Sequence, residues 1–431
     1  LPSASSTLFA YDSPRSVWNE HRESTRGRDL DITGLDYARL DRSPAQWPCP
    51  EGATAGRSRL YEDGRYATPD GRARFVDTAY EPLAEPRDAR YPYSLNTGRL
   101  RDQWHGMSRT GTLGRLFGHE PEPVVDLHPR DMARLGWVNG DLVQLDSRRG
   151  GLILPIRGCE QVAPMQCFIA MHWGDEHVWG AARDGRRAAG VNALTSSAYC
   201  PDSKQPELKH AAVKLAKVDL PWRLLALAWL PADEVLIVRQ RLADLVEDLG
   251  SALPFALCVP FGRERTGLLL RAAAPGPLPR AWLEELEAVL GLGRAGVLHY
   301  ADDKRGQRRS MRLAAHADGG QRLDALLLGG DISAEAWVKT VLQEDLPAQA
   351  YGRLLLSPGA QPPVAVAARG RQVCSCFDVS EPRIVDALRA CVGSGEARLL
   401  QLQQGLKCGT QCGSCVPELK RLERATTPQP A

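Results

Sequence analysis

The sequence predicts a multi-domain α+β protein with a β-barrel-like domain, an α+β middle region and a small helical domain near its C-terminal end. Short strand-like segments with turns extend from Tyr91 to about Val218, and helical and strand-like segments alternate over residues 223–370. Cysteines concentrate after residue 371. A chain of 431 residues is expected to form about two to four domains. We predict that the domains comprise residues 1–90, 91–218, 219–370 and 371–425.

Composition and charge exclude several classes of protein. Hydrophobic residues make up 43% of the chain and charged residues 25%, which is the balance of an ordinary globular protein. The formal net charge is 54 − 52 = +2, so charge gives no argument for a nucleic-acid partner. No run of about 18 apolar residues occurs, so we expect no helix that spans a membrane.

The N-terminal part of the chain has little hydrophobic periodicity. Residues 1–90 are rich in Arg, Asp, Gly and Pro, and hairpin signals occur at residues 62–64 and 69–71. The chain starts at Leu1 with neither an initiator Met nor a signal peptide. We therefore expect this region to be irregular, and we expect the chain to be a processed protein or, preferably, the C-terminal piece of a longer one.

A strand–helix–strand pattern predicts the barrel-like domain. Residues His128–Leu135 have the pattern of a short helix, which we expect to end at Gly136. Residues Asp141–Ser147 alternate apolar and polar side chains, and Leu152–Ile156 continues as a second strand after a turn. Short strands and turns in such close succession indicate a small barrel.

The middle region has a different pattern, in which amphipathic helices alternate with apolar strands. A boundary is expected at residues 219–222, before the first of these segments. We predict helices at Asp233–Leu249 and Pro279–Leu290, and strands at Phe255–Pro260, Thr266–Arg271 and Arg322–Leu328. This pattern predicts an α+β domain, but it assigns no function to it.

The cysteines indicate a local metal site. Of the 11 cysteines, six lie between Cys374 and Cys415. Disulfide frameworks are typical of short secreted chains, whereas this chain is long and shows no sign of secretion, so we expect reduced cysteines and a cytoplasmic location. Cys374-x-Cys376 and Cys412-x-x-Cys415 provide two close pairs of thiolates, which suit either zinc or a 2Fe-2S cluster.

Spacing favours the iron–sulfur alternative and leaves one ligand position open. A one-residue gap between two cysteines is unusual in structural zinc sites. The two-residue gap between Cys412 and Cys415 lets one turn present both sulfurs to one iron, whereas Cys408 lies four residues earlier and stays an alternative to Cys412. Cys391 shares a predicted helical face with apolar residues, so we expect it to be a small core residue.

The cysteine-rich segment resembles the bacterioferritin-associated ferredoxin-like 2Fe-2S domain. The resemblance lies in residues Val373–Ser380 and Cys412–Leu419. It implies that the metal ligands are Cys374, Cys376, Cys412 and Cys415. Domains of this kind occur at the C-termini of assimilatory nitrate reductases, in nitrite reductase large subunits and as separate proteins.

A second candidate site begins at the end of a predicted strand. Residues Leu95–Gly111 run from this strand into a turn at 97–99 and then provide Arg, Asp, Gln, Trp and His close together. Backbone N–H groups at a glycine turn, together with Arg, can bind a phosphate group, and Trp104 can stack on a flat ring. On the residues alone, a polar surface loop is the simpler interpretation.

This loop resembles the C-terminal cofactor domain of molybdopterin-dependent oxidoreductases, in particular nitrate reductases. Residues 190–195 and 201–209 resemble a second block of that domain, and His172 precedes the aromatic position that the resemblance assigns to Trp173. The resemblance implies a double-psi β-barrel that binds molybdopterin guanine dinucleotide. The implied cofactor-binding residues are Thr97, Gly98, Arg99, Leu100, Arg101, Asp102, Gln103, Trp104, His105, Gly106, Trp173, Asn192 and Lys209.

The resemblance to assimilatory nitrate reductases extends over most of the chain, including residues 31–35, 47–50, 66–75, 300–303 and 322–331. It implies a part of an enzyme that reduces nitrate to nitrite by two electrons at a bis-molybdopterin guanine dinucleotide (bis-MGD) molybdenum centre. The N-terminal cluster motif and molybdenum ligand of that family are missing here, so we predict no catalytic residue in this chain and a 4Fe-4S cluster in the missing part.

Electrons would enter this enzyme through the 2Fe-2S domain. The expected donors are a reductase subunit, a ferredoxin or a flavodoxin. Two alternatives stay open: another molybdopterin oxidoreductase, such as a formate dehydrogenase, and a non-enzymatic electron-carrier or docking protein.

Overall fold

The computed structural model describes residues 9–180, 190–207, 209–357, 361–362, 366 and 369–426. The chain divides into two compact units, residues 1–82 and residues 83–431, which are described separately. No helix in the described part of the chain is long and apolar enough to cross a membrane.

The first unit has little regular structure. It contains helices α1 (Pro14–Ser24) and α2 (Tyr37–Arg42), neither of which has a buried residue. Ser13 begins α1 with a capping box, in which its hydroxyl accepts a hydrogen bond from the backbone N–H of Ser16. From residue 43 to residue 82, all of which the structure describes, the chain forms no helix or strand. This agrees with the weak periodicity of the sequence.

The second unit begins with a closed six-stranded barrel, which confirms the predicted fold class. Its strands follow the order β1-β5-β2-β4-β3-β6, and β1 pairs with both β5 and β6, which closes the barrel. Gly136 ends helix α3 in the left-handed conformation at φ 68°, as its position in the sequence predicts. The barrel elements are β1 (Tyr93–Gly98), β2 (Val125–Leu127), α3 (Pro129–Leu135), β3 (Leu142–Asp146), β4 (Gly151–Gly158), β5 (Gln166–Ala170) and β6 (Ala211–Lys217).

An antiparallel six-stranded sheet follows, in the order β10-β11-β12-β7-β9-β8. One face of its strands packs with the apolar sides of α4 and α5, and the other face shares a core with the barrel and with α6. Strands β8 and β9 are buried along most of their length, as continuous apolar runs predict. The elements are β7 (Trp222–Leu230), α4 (Val235–Leu249), β8 (Phe255–Phe261), β9 (Thr266–Ala274), α5 (Arg280–Val289), β10 (Leu298–Asp302), β11 (Gln307–Ala315), β12 (Gln321–Gly330) and α6 (Glu335–Gln343).

The C-terminal region is a two-stranded hairpin followed by three helices around a small core of its own. Ser380 occupies the position before α7, but its side chain forms no capping hydrogen bond. Ser380 instead pairs with Gln372 in the hairpin. The elements are β13 (Gln372–Cys374), β14 (Val379–Ser380), α7 (Glu381–Ala390), α8 (Glu396–Leu406) and α9 (Val416–Thr426).

Short 3-10 turns complete the described structure. Two of them lie in the segment after β1, and one precedes β6. They span His105–Met107, Gly114–Leu116, Val191–Leu194, Gly250–Ala252, Ala348–Ala350 and Gly352–Leu356.

A group of charged side chains joins the barrel to the antiparallel sheet. Arg271 of β9 binds both carboxylate oxygens of Glu122, with Nε to Oε2 at 2.6 Å, and Glu335 of α6 binds the same guanidinium. Burial alone would raise the pKa of Glu122, but the charge of Arg271 and its hydrogen bonds lower it to about 2. Glu122 is therefore ionised in the folded protein across the neutral pH range.

Replacement of Glu122 by Gln tests this contact. Because Arg271 keeps Glu335, we expect the loss of one charge-assisted hydrogen-bonded pair, or about 1.5–3 kcal/mol of unfolding free energy at pH 7. The pKa of Glu122 is lower in the folded state, so its stabilisation is complete above pH 4.5 and declines as the pH falls towards 2.

Urea denaturation at several pH values measures the difference between Glu122→Gln and the unchanged protein. Glu284→Gln is the matched control, because Glu284 forms an exposed pair with Arg280 and should have little effect. A difference for Glu122→Gln that does not shrink as the pH falls below 4.5 would contradict the assignment.

Candidate functional site

The parallel pairing of β1 with β5 brings two chain segments to the same end of the barrel. Thr97 pairs with Ile169 and Gly98 with Ala170, and the N–H of Met171 then donates to the carbonyl of Gly98 at 2.8 Å. A Cβ atom on Gly98 would lie 2.8 Å from the outer ring atoms of Phe168, so a larger residue here would require that ring to shift. The segment after β1 and the segment after β5 therefore emerge side by side.

Gln103 holds the segment after β1 in a defined loop. Its amide donates to the carbonyl of Leu116 at 3.2 Å and accepts a hydrogen bond from the hydroxyl of Thr110 at 2.6 Å. The same hydroxyl accepts the backbone N–H of Trp104 at 3.1 Å. Gln103 is therefore buried and stabilises the loop 97–106 through its hydrogen bonds. The family resemblance implied a cofactor contact for this residue.

Three side chains of this loop are exposed at its surface. Arg99 Nη2 lies 3.4 Å from His105 Nε2, and the ring of His105 packs edge-on against Trp104, with 4.8 Å between centroids. Arg109 lies over the ring of Trp104, with 5.8 Å between its guanidinium carbon and the ring centroid. Arg99, Trp104 and His105 therefore provide a cationic and aromatic surface that is open to a ligand.

The structure distinguishes between His172 and Trp173, whose register was open in the sequence. Trp173 is in the barrel core, where its ring packs against Phe117 and His177, with centroids 6.1 and 5.9 Å apart. His172 is completely buried, and neither of its ring nitrogens has a hydrogen-bond partner. Burial lowers the pKa of His172, which favours the neutral imidazole.

His172 adjoins the loop, since a long backbone contact from Trp104 partly offsets the effect of burial on its pKa, and the charge of Arg99 lowers that pKa further. A buried polar group without a partner is uncommon in folded proteins and needs an explanation. The family resemblance implied that Trp173 contacts the cofactor, because an aromatic side chain is expected at this position. The buried, unpaired imidazole is a signal that only the tertiary structure provides.

Asn192 and Lys209 approach the same end of the barrel from other segments. The N–H of Val191 donates to the carbonyl of Trp173 at 3.1 Å, which places the exposed Asn192 beside the segment after β5. Lys209 is exposed and precedes β6 by two residues, and β6 pairs antiparallel with β1. The loop 97–106, Asn192 and Lys209 thus lie at the same end of the barrel, and Trp173 lies in the core beside them.

The four predicted cysteine ligands meet in the C-terminal region. The thiol of Cys376 is within hydrogen-bonding reach of Cys412, and that of Cys374 within reach of Cys415. Burial raises the pKa of Cys415 to about 12, and the neighbouring Cys374 adds to this effect. Cys412 is exposed, and a hydrogen bond with the hydroxyl of Ser414 lowers its pKa. Each contact thus joins a cysteine of the Cys374-x-Cys376 pair to a cysteine of the Cys412-x-x-Cys415 pair.

The expectation that one turn presents Cys412 and Cys415 to a single iron stays a prediction. The sequence spacing describes only the local turn, whereas the fold sets the hairpin cysteines against the loop before α9. Gly409 and Gly413 have φ angles of 78° and 74°, which let this loop turn tightly. Across the residues that the structure describes, no three His, Cys, Asp or Glu side chains form a group that could hold a single metal ion.

The other two cysteines of this region differ in position. Cys408 is fully buried, and its thiol lies against Cys374; burial raises its pKa to about 12. Cys391 is half-buried at the end of α7, and its Sγ donates to the carbonyl of Ala387 at 3.2 Å, so it is not the core residue that was expected. Cys408 is therefore adjacent to the thiol cluster, and Cys391 is engaged elsewhere.

Comparisons with known proteins match the two regions of the chain that contain these residues. Residues 93–212 match the family described as "Molydopterin dinucleotide binding domain", and residues 372–422 match the "BFD-like [2Fe-2S] binding domain". A nitrate reductase of Klebsiella oxytoca is 32% identical over 450 aligned residues, which cover 98% of this chain and 45% of that protein. This chain thus spans less than half the length of that relative.

Other relatives match about half of this chain. The assimilatory nitrate reductase catalytic subunit of Bacillus subtilis is 30% identical and covers 49% of this chain and 28% of its own length. The F420-dependent formate dehydrogenase subunit alpha of Methanocaldococcus jannaschii is also 30% identical, with the same two coverages of 49% and 28%. The matches of partial length therefore include enzymes with different substrates.

The difference between the cysteine environments predicts their reactivity in the iron-free chain. Thiolate is the reactive form, so at pH 7 iodoacetamide should label Cys412 about tenfold faster, or more, than the buried Cys408 and Cys415. Ser414→Ala should slow the labelling of Cys412, because Ser414 lowers its pKa.

Peptide mass spectrometry at limiting reagent measures these rates. Cys200 provides an internal reference, because it is also exposed and its pKa is lowered by the hydroxyl of Ser203. Equal labelling of Cys412 and Cys415 would contradict the described burial.

Proposed function

We propose, on the premise that this chain contains a molybdopterin dinucleotide-binding domain and a BFD-like 2Fe-2S domain and is related to nitrate reductases, that it is the electron-accepting part of a nitrate reductase. The proposed reaction is the two-electron reduction of nitrate to nitrite, with release of water. The observation that carries the proposal is the match of 98% of this chain to one nitrate reductase, which includes both domains.

The residues at the end of β1 fit a dinucleotide cofactor. Arg99 and Lys209 supply exposed positive charge for phosphate groups, and Trp104 supplies a flat apolar face for a ring. Asn192 offers an amide, and buried His172 offers ring nitrogens that have no hydrogen-bond partner of good geometry within the protein. We propose these five residues, rather than Trp173, as the side chains that contact the pterin dinucleotide.

The bound molybdenum cofactor would supply the oxygen-transfer and redox chemistry. In this proposal, residues of this chain bind and orient one dinucleotide. The rest of the bis-MGD site and a 4Fe-4S cluster belong to a part of the enzyme outside this chain. The electron donor is a reductase subunit, a ferredoxin or a flavodoxin, which would deliver electrons to the cysteine-ligated cluster.

The thiol contacts also support the cluster ligands. Cys374, Cys376, Cys412 and Cys415 meet as two pairs, which suits a centre with two irons that each take two thiolates. Cys408 also lies against Cys374 and is as buried as Cys374 and Cys415, but the family resemblance assigns the ligands to the other four cysteines. We propose that Cys408 is a packing neighbour of the cluster and not a ligand.

Two other functions were considered. A formate dehydrogenase is favoured by the relative from Methanocaldococcus, but that match covers 49% of this chain. A separate electron carrier would not need a closed barrel with cationic and aromatic side chains at one end. The nearly complete match to a nitrate reductase favours nitrate.

Iron content of serine variants tests the ligand assignment. Cys374→Ser, Cys376→Ser, Cys412→Ser and Cys415→Ser should each lose most of the cluster, because each removes one thiolate from iron. Cys408→Ser and Cys391→Ser are matched controls that should keep it. Iron analysis and the electron paramagnetic resonance (EPR) spectrum of the reduced chain measure the outcome.

Two results would contradict this assignment. If Cys408→Ser loses the cluster while Cys412→Ser retains it, the ligand is Cys408. Purified protein that contains stoichiometric zinc and no iron would exclude the 2Fe-2S assignment altogether.

The substrate is tested on the full-length protein that includes this chain, purified with its cofactors. It should reduce nitrate with a reduced viologen dye and should not oxidise formate. Arg99→Ala and Lys209→Ala should each lower the molybdenum and guanine nucleotide content, because each removes a charged hydrogen bond of about 1.5–3 kcal/mol. Arg130→Ala, an exposed arginine on α3 of the same barrel, is the control.

Metal analysis and nucleotide release give cofactor content separately from activity. Formate oxidation without nitrate reduction would favour the alternative enzyme class. Full cofactor content in both the Arg99 and Lys209 variants would contradict the proposed binding site.

A further inference from the structure

The loop 97–106 contacts the cysteine-rich domain directly. Ser375, which lies between the first two cysteines, donates from its hydroxyl to Asp102 Oδ2 at 2.5 Å. Arg101 binds both oxygens of Asp102, each at 2.8 Å, and its Nη1 lies 3.2 Å from Glu418 Oε2 of α9. The side chains of Asp102 and Arg101 are 7% and 18% exposed, so this contact is largely shielded from water.

Further charged groups surround the same contact. Arg263, from the turn after β8, donates to the backbone carbonyl of Ser375 at 2.9 Å. Nε2 of His119 lies 3.2 Å from Glu418 and 3.1 Å from Arg371. Burial would raise the pKa of Glu418, but the hydrogen bond from His119 and the charge of Arg371 lower it to about 2, so Glu418 stays ionised. The cysteine-rich domain is thus held by both the barrel and the antiparallel sheet.

Both charges of the loop adjoin the first pair of cysteines through Ser375. Asp102 accepts the hydrogen bond from the hydroxyl of Ser375, and Nη2 of Arg101 lies 3.5 Å from the same hydroxyl oxygen. Reduction of a cluster adds one negative charge to it. A nearby cation therefore favours the reduced state, and a nearby anion opposes it, with an effect that is larger where water is excluded.

We propose that Arg101 and Asp102 are positioning residues of the iron–sulfur domain, which hold Ser375 against the loop 97–106 and set the midpoint potential of the cluster. This inference rests on the proposed cluster ligands. It assigns Arg101 and Asp102 to the cluster, whereas the family resemblance assigned both to the pterin. One loop then contacts the dinucleotide through Arg99 and Trp104 and the cluster domain through Arg101 and Asp102.

The test is a redox titration of the cluster in the full 431-residue chain, followed by EPR, without any molybdenum cofactor. Arg101→Gln leaves Asp102 uncompensated and should shift the midpoint potential to more negative values. Asp102→Asn leaves the cation and should shift it to more positive values. Arg389→Gln and Asp386→Asn are matched controls, since they remove the same charges from an exposed pair on α7 and should leave the potential unchanged.

Two further variants separate charge from packing. Arg101→Lys keeps the charge and should keep a potential near that of the unchanged chain, even if Arg101→Gln loses iron. Ser375→Ala should keep the cluster but increase amide hydrogen exchange in the loop 97–106 and in β13, because it removes the hydrogen bond to Asp102.

Shifts of opposite sign for the two charge variants, with unchanged controls, would support the proposal. A loaded cluster whose potential does not respond to either variant would overturn it while leaving the proposed function intact. Failure of the unchanged chain to bind iron would instead refute the cluster itself, and this inference with it.

Discussion

The site depends on the way the barrel closes around β1. This strand pairs in parallel with β5 and antiparallel with β6, so its end is fixed from both sides. The loop 97–106 leaves the barrel where this pairing ends at Gly98, beside the segment that follows β5. The segment that carries His172 and the approach to β6 that carries Lys209 reach the same end only because these strands are neighbours. The two pairings of β1 thus bring together residues that are more than 100 positions apart in sequence.

The antiparallel sheet, which has no assigned chemistry, acts as a platform between the two cofactor domains. One of its faces is covered by α4 and α5, and the other shares a core with the barrel. Arg271 binds the barrel through Glu122, and Arg263 binds the backbone between the first two cysteines. These are charge-assisted hydrogen bonds in partly buried surroundings, where they are stronger than on an open surface. Such contacts hold the barrel and the cysteine-rich domain in fixed positions on the sheet.

The loop 97–106 shows how one short segment can serve two partners. Asp102 and Ser375 are 273 residues apart, yet they share a hydrogen bond that lies between the predicted dinucleotide site and the cysteine cluster. Burying ionised groups is unfavourable unless each finds a partner, and here Arg101, Asp102 and Glu418 form a connected set. The set also explains why Arg101 and Asp102 lie in the middle of a loop whose other charged and aromatic side chains are exposed.

The sequence by itself determined the elements whose cause is local. Gly136 ends a helix, apolar runs form β8 and β9, and the spacing of cysteines indicates a cluster, since each of these depends on a few adjacent residues. Tertiary structure alone decided what depends on distant neighbours. It placed Trp173 in the core and left His172 unpaired, and it set Cys376 against Cys412. It also turned Arg101 and Asp102 towards Ser375. These outcomes follow from which strands become neighbours when the barrel closes and from how the domains pack, and no pattern of adjacent residues specifies either.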